Sequence, residues 1–196
     1  MTRNIAILGS TGSIGTNALK VVDSLGEAYR VVALTAHSNV RLLAEQVRRY
    51  RPLFVAITDR TKAEELKTAV AGLHAEVLAG PQGMTFIAQL EEVNFVLAAV
   101  VGAAGLPAIM AAAAEGKTLA IANKEPLVMA GQILAGTARK NGATILPVDS
   151  EHCAIFQAMK AGSSDEVSKI ILTASGGPFR TATAEQLRNA TLSDAL

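Results

Sequence analysis

Ile5–Gly15 reads IAILGSTGSIG. Four apolar residues, Ile5–Leu8, run straight into Gly9-Ser10-Thr11-Gly12-Ser13-Ile14-Gly15, and a helical pattern over Gly15–Leu25 follows. This is a GxxGxxG loop between a strand and a helix. Its glycines permit a tight turn and close approach of the backbone to a ligand, and the first N–H groups of the helix are suited to a pyrophosphate. Ser10, Thr11 and Ser13 add hydroxyl donors. Glycines alone are a weak sign, because tight strand-to-helix turns use them for their own reasons. Placement at the end of a first strand, inside a βαβ unit, makes the loop far more specific.

The same grammar repeats outward from this loop. Ile5–Leu8, Val31–Leu34, Phe54–Ile57, Phe95–Ala98, Leu119–Ala122 and Thr144–Val148 read as strands, with Glu76–Leu78 as a further short candidate. They are continuously apolar rather than alternating, as parallel strands covered on both faces should be. Helical patterns separate them: Gly15–Leu25, Val40–Tyr50, Thr61–Val70, Leu106–Glu115 and Leu127–Lys140. Thr61 and Glu64 have capping-box spacing, Pro52 blocks continuation of the second helix, and Gly116 and Gly142 sit where helices should end. The pattern predicts an α/β fold with a doubly wound parallel sheet and right-handed crossovers. After residue 145 the grammar changes. A helix over Glu151–Lys160, a polar loop, a strand over Val167–Thr173, a turn at Ser175–Pro178 and a last helix capped by Thr183 and Gln186 suggest the start of a second domain.

Composition narrows the function. The 196 residues are half hydrophobic and 18% charged, with a net charge of +1 and no Trp. That argues against a broad nucleic-acid surface and against base-stacking platforms. Val93–Ala114 carries no charge, yet Asn94, Gly102, Gly105 and Pro107 interrupt it. A buried strand, a glycine turn and an Ala-rich helix explain it better than a membrane span. The N-terminus reads as a first strand rather than a signal peptide, and no membrane partner is expected. The single cysteine, Cys153, cannot form an intrachain disulfide and reads as a small buried hydrophobe.

Three further places carry chemistry. The end of the second strand, Leu34–Arg41, has no acidic residue between Glu27 and Glu45. NAD-specific folds usually place an acid there for the ribose 2′-hydroxyl. His37, Ser38, Asn39 and Arg41 suit a 2′-phosphate instead, which favours NADPH over NADH, or else they are ordinary turn and N-cap residues. Asn123-Lys124-Glu125-Pro126 follows the strand Leu119–Ala122, at the end of an open sheet where ligands bind. Lys124 can neutralise an oxyanion or phosphate, and Glu125 can orient the nicotinamide side. The alternative is a solvated pair at a helix start with Pro at its first turn. Finally, TILPVDSEHCAIFQ at 144–157 stops its apolar run at Asp149-Ser150-Glu151-His152. In an extended chain residues i and i+2 point the same way, so Asp149 and Glu151 can share one cation. Hard oxygen donors suit Mg²⁺ or Mn²⁺. A solvated strand-to-helix turn is the other reading.

Taken together, GSTGSIG at 9–15, VGAAG at 101–105, ANKE at 122–125, PVDSEH at 147–152 followed by AIFQ, and SGGPFR at 175–180 resemble the 1-deoxy-D-xylulose 5-phosphate reductoisomerase family, in the family's order and across nearly the whole chain. The resemblance implies a Rossmann-like NADPH-binding domain over 1–145 and an incomplete connective and catalytic α+β domain over 146–196. It implies NADPH contacts at Thr11, Gly12, Ser13, Ile14, Ser38, Asn39, Asn123 and Glu125. It implies metal ligands at Asp149 and Glu151, and substrate contacts at Lys124, Ser150, Glu151 and Ser175, with Lys124 and Glu151 catalytic. The implied reaction converts 1-deoxy-D-xylulose 5-phosphate, a small phosphorylated sugar, into 2-C-methyl-D-erythritol 4-phosphate, using NADPH and Mg²⁺ or Mn²⁺, in isoprenoid precursor synthesis in the bacterial cytoplasm. Family members are homodimers.

Two features depart from the family pattern. Members often carry Lys or Arg after the second strand, where this chain has His37-Ser38. Members also continue into a His/Trp-containing lid, further substrate-binding residues, a third metal-binding Glu and a C-terminal helical domain, which these residues do not contain. The chain is therefore expected to bind NADPH but to turn over negligibly by itself. The alternatives are a non-catalytic NADP-binding module, or another two-domain NADP-dependent dehydrogenase.

Overall fold

A computed structural model describes residues 2–173 and 177–195. The chain divides into two compact units, Met1–Asp149 and Ser150–Leu196.

In the first unit, seven strands form one parallel sheet: β1 (Arg3–Leu8), β2 (Tyr29–Ala36), β3 (Phe54–Ile57), β4 (Glu76–Ala79), β5 (Phe95–Ala98), β6 (Thr118–Ile121) and β7 (Thr144–Pro147). Their order is β4-β3-β2-β1-β5-β6-β7. The winding reverses between β1 and β5, which stay paired to Leu8 and Ala98, so the connections leaving their C-terminal ends run in opposite directions and leave a crevice. The helices are α1 (Ser13–Leu25), α2 (Val40–Tyr50), α3 (Ala63–Ala69), α4 (Gln82–Gln89), α5 (Leu106–Ala114) and α6 (Glu125–Asn141). Strand alternation divides the apolar residues into two cores. Ile5 and Ile7 of β1 join Leu19, Leu43, Val47 and Leu66 of α1, α2 and α3 on one face. Ala6 and Leu8 join Met84, Ile87, Ile109 and Leu134 of α4, α5 and α6 on the other. The inner strands β1, β2, β3, β5 and β6 are buried on both faces, which explains their apolar sequences, whereas the edge strands β4 and β7 are only partly covered.

Helix ends follow local chemistry with one departure from expectation. Asn39 caps α2 by accepting from the Leu42 N–H, Pro126 sits in the first turn of α6, and Gly142 closes α6 in the left-handed region at φ 71°. Thr61 and Glu64 do not form the expected box. Asp59, two residues upstream, accepts from both the N–H and the hydroxyl of Thr61, and Glu64 pairs with Lys67. The apolar segment at residues 93–114 resolves into β5, a glycine turn and α5. Among the described residues, no helix is long and apolar enough to cross a membrane. The helix α4, QGMTFIAQ, was not anticipated, because glycine at its second residue and its short length conceal the period.

Lys117, just before β6, is buried and donates its ammonium to the Leu90 carbonyl at the end of α4. A cation at a helix C-terminus meets the negative end of the dipole. Burial nonetheless lowers its pKa, with Glu115 and Glu92 opposing that shift.

The second unit contains α7 (Ser150–Ala158), α8 (Ala184–Arg188) and α9 (Leu192–Ala195) with short 3₁₀ turns between. Thr183 and Gln186 form the expected capping box. The expected strand over Val167–Thr173 is absent. These residues have no regular structure, and Ile170, Ile171 and Leu172 are exposed. A strand needs a neighbour for its N–H and C=O groups, and the second unit has no strand among its described residues. The turn expected at Ser175–Pro178 lies partly outside the described residues; Gly177–Phe179 is a 3₁₀ turn. Cys153 is half-buried rather than buried, and its sulfur accepts from Gln157.

Leu119 is fully buried between strand and helices. Leu119→Ala should lower the unfolding free energy of the chain by about 2–5 kcal/mol, read from urea unfolding.

Candidate functional site

The crevice at the winding reversal is built by a short hydrogen-bond network. Gly9 leaves β1 at φ 82°, donates its N–H to the Thr35 hydroxyl, and packs so tightly that a Cβ would lie 2.7 Å from the Ala99 carbonyl oxygen. Ser10 follows, fully buried. Its N–H donates to the Thr35 carbonyl at 2.8 Å, its hydroxyl donates to Gln46 Oε1 at 2.6 Å, and Gln46 Nε2 donates back to the Ser10 carbonyl at 2.8 Å. Ser10 was expected to offer its hydroxyl to a ligand. It is committed instead to holding the loop against α2. Gln46, invisible to motif reading because it sits on an ordinary helical pattern, is its buried partner.

The third glycine closes the turn. A Cβ on Gly15 would stand 2.3 Å from the Gly9 carbonyl oxygen, so glycine is sterically required there. Gly12 differs. It is exposed, precedes α1 at φ −77°, and an added Cβ would meet only the Gly9 carbonyl oxygen at an ordinary 3.5 Å. Internal packing therefore does not demand glycine at this point. No side chain caps α1, whose first-turn N–H groups have no intrahelical partners. An uncapped helix N-terminus behind a residue with no side chain is a cradle for an anion.

A cleft of about 520 Å³ opens there, lined by Thr11, Gly12, His37, Thr58, Pro81 and Val100 among others. Thr11 and Gly12 thus share one cleft with the end of β2. Ser13 is exposed at the first residue of α1. Ile14 turns its side chain to a separate apolar groove with Ala18 and Val21, so only its backbone remains for the cleft. His37 Nδ1 pairs with the Thr58 hydroxyl at 2.8 Å. Ser38 is exposed, Asn39 spends its side-chain oxygen on the α2 cap, and Arg41 is tied to Glu45 at 2.8 Å on the helix surface. Asp59, next along the chain from Thr58, is held below the usual carboxylate range by the two Thr61 hydrogen bonds.

Asn123 donates to the Val100 carbonyl, joining the end of β6 to the cleft wall. Lys124 is exposed and Glu125, half-buried, opens α6. Asp149 lies in a bend after β7 and Ser150 already begins α7. The extended geometry expected to align Asp149 with Glu151 therefore ends before it reaches Glu151. In the second unit Ser150 and Glu151 line a hollow of about 350 Å³ with Ala154, Ile155, Ile171 and Thr173. Among the described residues, no three His, Cys, Asp or Glu side chains gather in metal-binding range. Ser175 lies outside the described residues.

Residues 5–131 match the family model of 1-deoxy-D-xylulose 5-phosphate reductoisomerase, and residues 145–196 match the model of that enzyme's C-terminal domain. The chain belongs to the 1-deoxy-D-xylulose 5-phosphate reductoisomerase family. It is 46% identical over 194 residues to the reductoisomerase of Geobacter sp. (strain M21), covering 99% of this chain and 50% of the relative. With the reductoisomerase of Oleidesulfovibrio alaskensis it shares 48% over 195 residues, 99% of this chain and 48% of the relative. The chain spans about half the length of these curated relatives. Among solved structures, the Zymomonas mobilis reductoisomerase in complex with NADPH is 40% identical with a TM-score of 0.83, over 100% of this chain and 52% of that one. A DOX-P reductoisomerase in complex with NADPH, fosmidomycin and magnesium gives 41% and 0.82, over 98% and 50%. Membership accounts for the sheet order and the glycine loop.

Gln46→Leu removes the amide that pairs with the hydroxyl and carbonyl of buried Ser10 and leaves only the Thr35 carbonyl as its partner. It should destabilise the chain by about 1–3 kcal/mol in urea unfolding, with faster amide exchange at Ser10 and Thr11.

Proposed function

We propose that the first unit holds NADPH in the cleft between the ends of β1, β2 and β5. The observation that carries this reading is Gly12: a glycine the fold does not require, set before an uncapped helix. In this reading the backbone of Thr11, Gly12, Ser13 and Ile14 takes the pyrophosphate, and Ser38 and Asn39 lie on the adenosine side. Asn123 and Glu125 flank the nicotinamide side, where the Asn123 bond to Val100 fixes the wall. Lys124 offers an ammonium to a substrate phosphate or oxyanion. Asp149 and Glu151 supply oxygen ligands of the kind Mg²⁺ or Mn²⁺ takes, but two carboxylates make only part of such a shell. Ser150 and Glu151, with Ser175, contact the substrate. Residues 1–145 form the cofactor domain and 146–196 part of the connective and catalytic domain.

The activity proposed for the whole protein is conversion of 1-deoxy-D-xylulose 5-phosphate to 2-C-methyl-D-erythritol 4-phosphate. The cofactor supplies hydride and the divalent cation Lewis acidity. The chain's own contribution is position and charge: Lys124 anchors the anionic end, and Glu151, as the second catalytic group, acts at the acidic end. The near-neutral charge fits a small-molecule partner rather than nucleic acid. A cytoplasmic homodimer is the assembly proposed for the whole protein. A binding-only module is the second reading for this polypeptide, favoured by the absence of a three-ligand cluster among the described residues.

Two tests follow from this geometry. Gly12→Ala should leave stability within about 0.5 kcal/mol, since its Cβ meets ordinary contact, yet weaken NADPH binding roughly tenfold or more by blocking the backbone. Unchanged NADPH affinity in a stable Gly12→Ala protein would remove the pyrophosphate from this loop. With substrate and Mn²⁺, the 196-residue polypeptide should bind NADPH but oxidise it negligibly; brisk oxidation would reject the binding-only reading.

A further inference from the structure

We propose that Arg60, rather than a residue of the loop after β2, is the cation that distinguishes NADPH from NADH in this chain. The inference rests on the cleft being the cofactor site.

The loop after β2 is poorly equipped for the task. The first cation beyond it, Arg41 in the first turn of α2, is bound to Glu45, and its side chain is 80% exposed. Lys62, beyond the end of β3, is likewise held by a carboxylate, Glu65, at 2.9 Å. Arg60 is placed differently. The Asp59 N–H donates to the His37 carbonyl and the Thr58 N–H to the Ala36 carbonyl. The chain entering Arg60 is thereby stitched to the end of β2, where an adenosine ribose would lie.

The guanidinium of Arg60 is also held in place. It lies against Gly80, which at φ 89° leaves room that a Cβ would take: such an atom would stand 2.8 Å from Arg60 Cζ and Nε. One N–H donates to Gln82 Oε1 at 2.8 Å. Pro81, between those two residues, lines the cleft, as do His37 and Thr58. Gln82 is a neutral partner, so it orients the guanidinium without cancelling its charge. Five N–H groups in a planar fork suit a phosphate bidentately. The adjacent carboxylate, Asp59, accepts from Thr61, a neutral partner that leaves its charge in place, and it makes no ion pair with Arg60 among the described residues. The geometry gives His37 and Ser38 a polar role around the phosphate and Arg60 the charge.

Calorimetric titration of NADPH, NADH and 2′,5′-ADP into the unmutated chain, Arg60→Gln and Arg41→Gln tests this, with circular dichroism as the folding control. Arg60→Gln should weaken NADPH and 2′,5′-ADP roughly 10- to 100-fold, the loss of a charge-assisted pair, and leave NADH within about twofold. Arg60→Lys should recover part of the loss. Equal weakening of NADPH and NADH, no weakening of NADPH, or a larger loss in Arg41→Gln would overturn the role of Arg60 while leaving the cleft as the cofactor site. An unmutated chain that binds none of the three ligands would overturn both.

Discussion

The bond set joining Thr35, Gly9, Ser10 and Gln46 is the constraint on which the rest of the site depends. It fastens the glycine loop to the end of β2 and to α2 through a buried serine. Once the loop is held there, α1 must begin at Ser13 with its N–H groups facing the crevice between β1 and β5. Buried polar contacts are costly if any member is unmet and rigidifying when all are met. Here every group of Ser10 has a partner, so the cradle is set before any ligand arrives. Its position therefore belongs to the fold and its empty face to the ligand.

The three loop glycines serve three purposes. Gly9 supplies a positive φ beside Ala99, and Gly15 lets the turn fold against its own carbonyl. Gly12 does neither. A motif read as letters makes them equivalent, whereas the space around each separates the residues that shape the loop from the one that keeps a path open. The family match and the likeness to reductoisomerases over the full chain fit the same arrangement.

Much of the fold was legible because continuously apolar strands and intervening helices follow directly from burial on both sheet faces. Six strands were placed within a few residues, and Glu76 marked the seventh. What escaped was whatever depends on a distant partner. Val167–Thr173 has strand composition but no neighbouring strand, and Thr61 has capping-box spacing but a nearer acceptor in Asp59. Gln46 carries no signal at all until α2 is packed on the loop. The site divides the same way. Thr11, Gly12 and His37 could be gathered from the topology of a doubly wound sheet. The roles of Arg41 and Arg60 could not, because they turn on which neighbour each guanidinium finds. Asp149 and Glu151 were joined by strand alternation, which the early start of α7 interrupts.

The central claim is that the amino end of α1 receives a diphosphate. Amide NMR of the isotopically labelled chain during NADPH titration tests it most directly. The account predicts that the backbone amides of Gly12, Ser13 and Gly15 shift first and furthest, with smaller changes at His37 and Ser38. Shifts confined to the apolar groove around Val21 and Leu25, with the amides of the glycine loop unmoved at saturation, would contradict it.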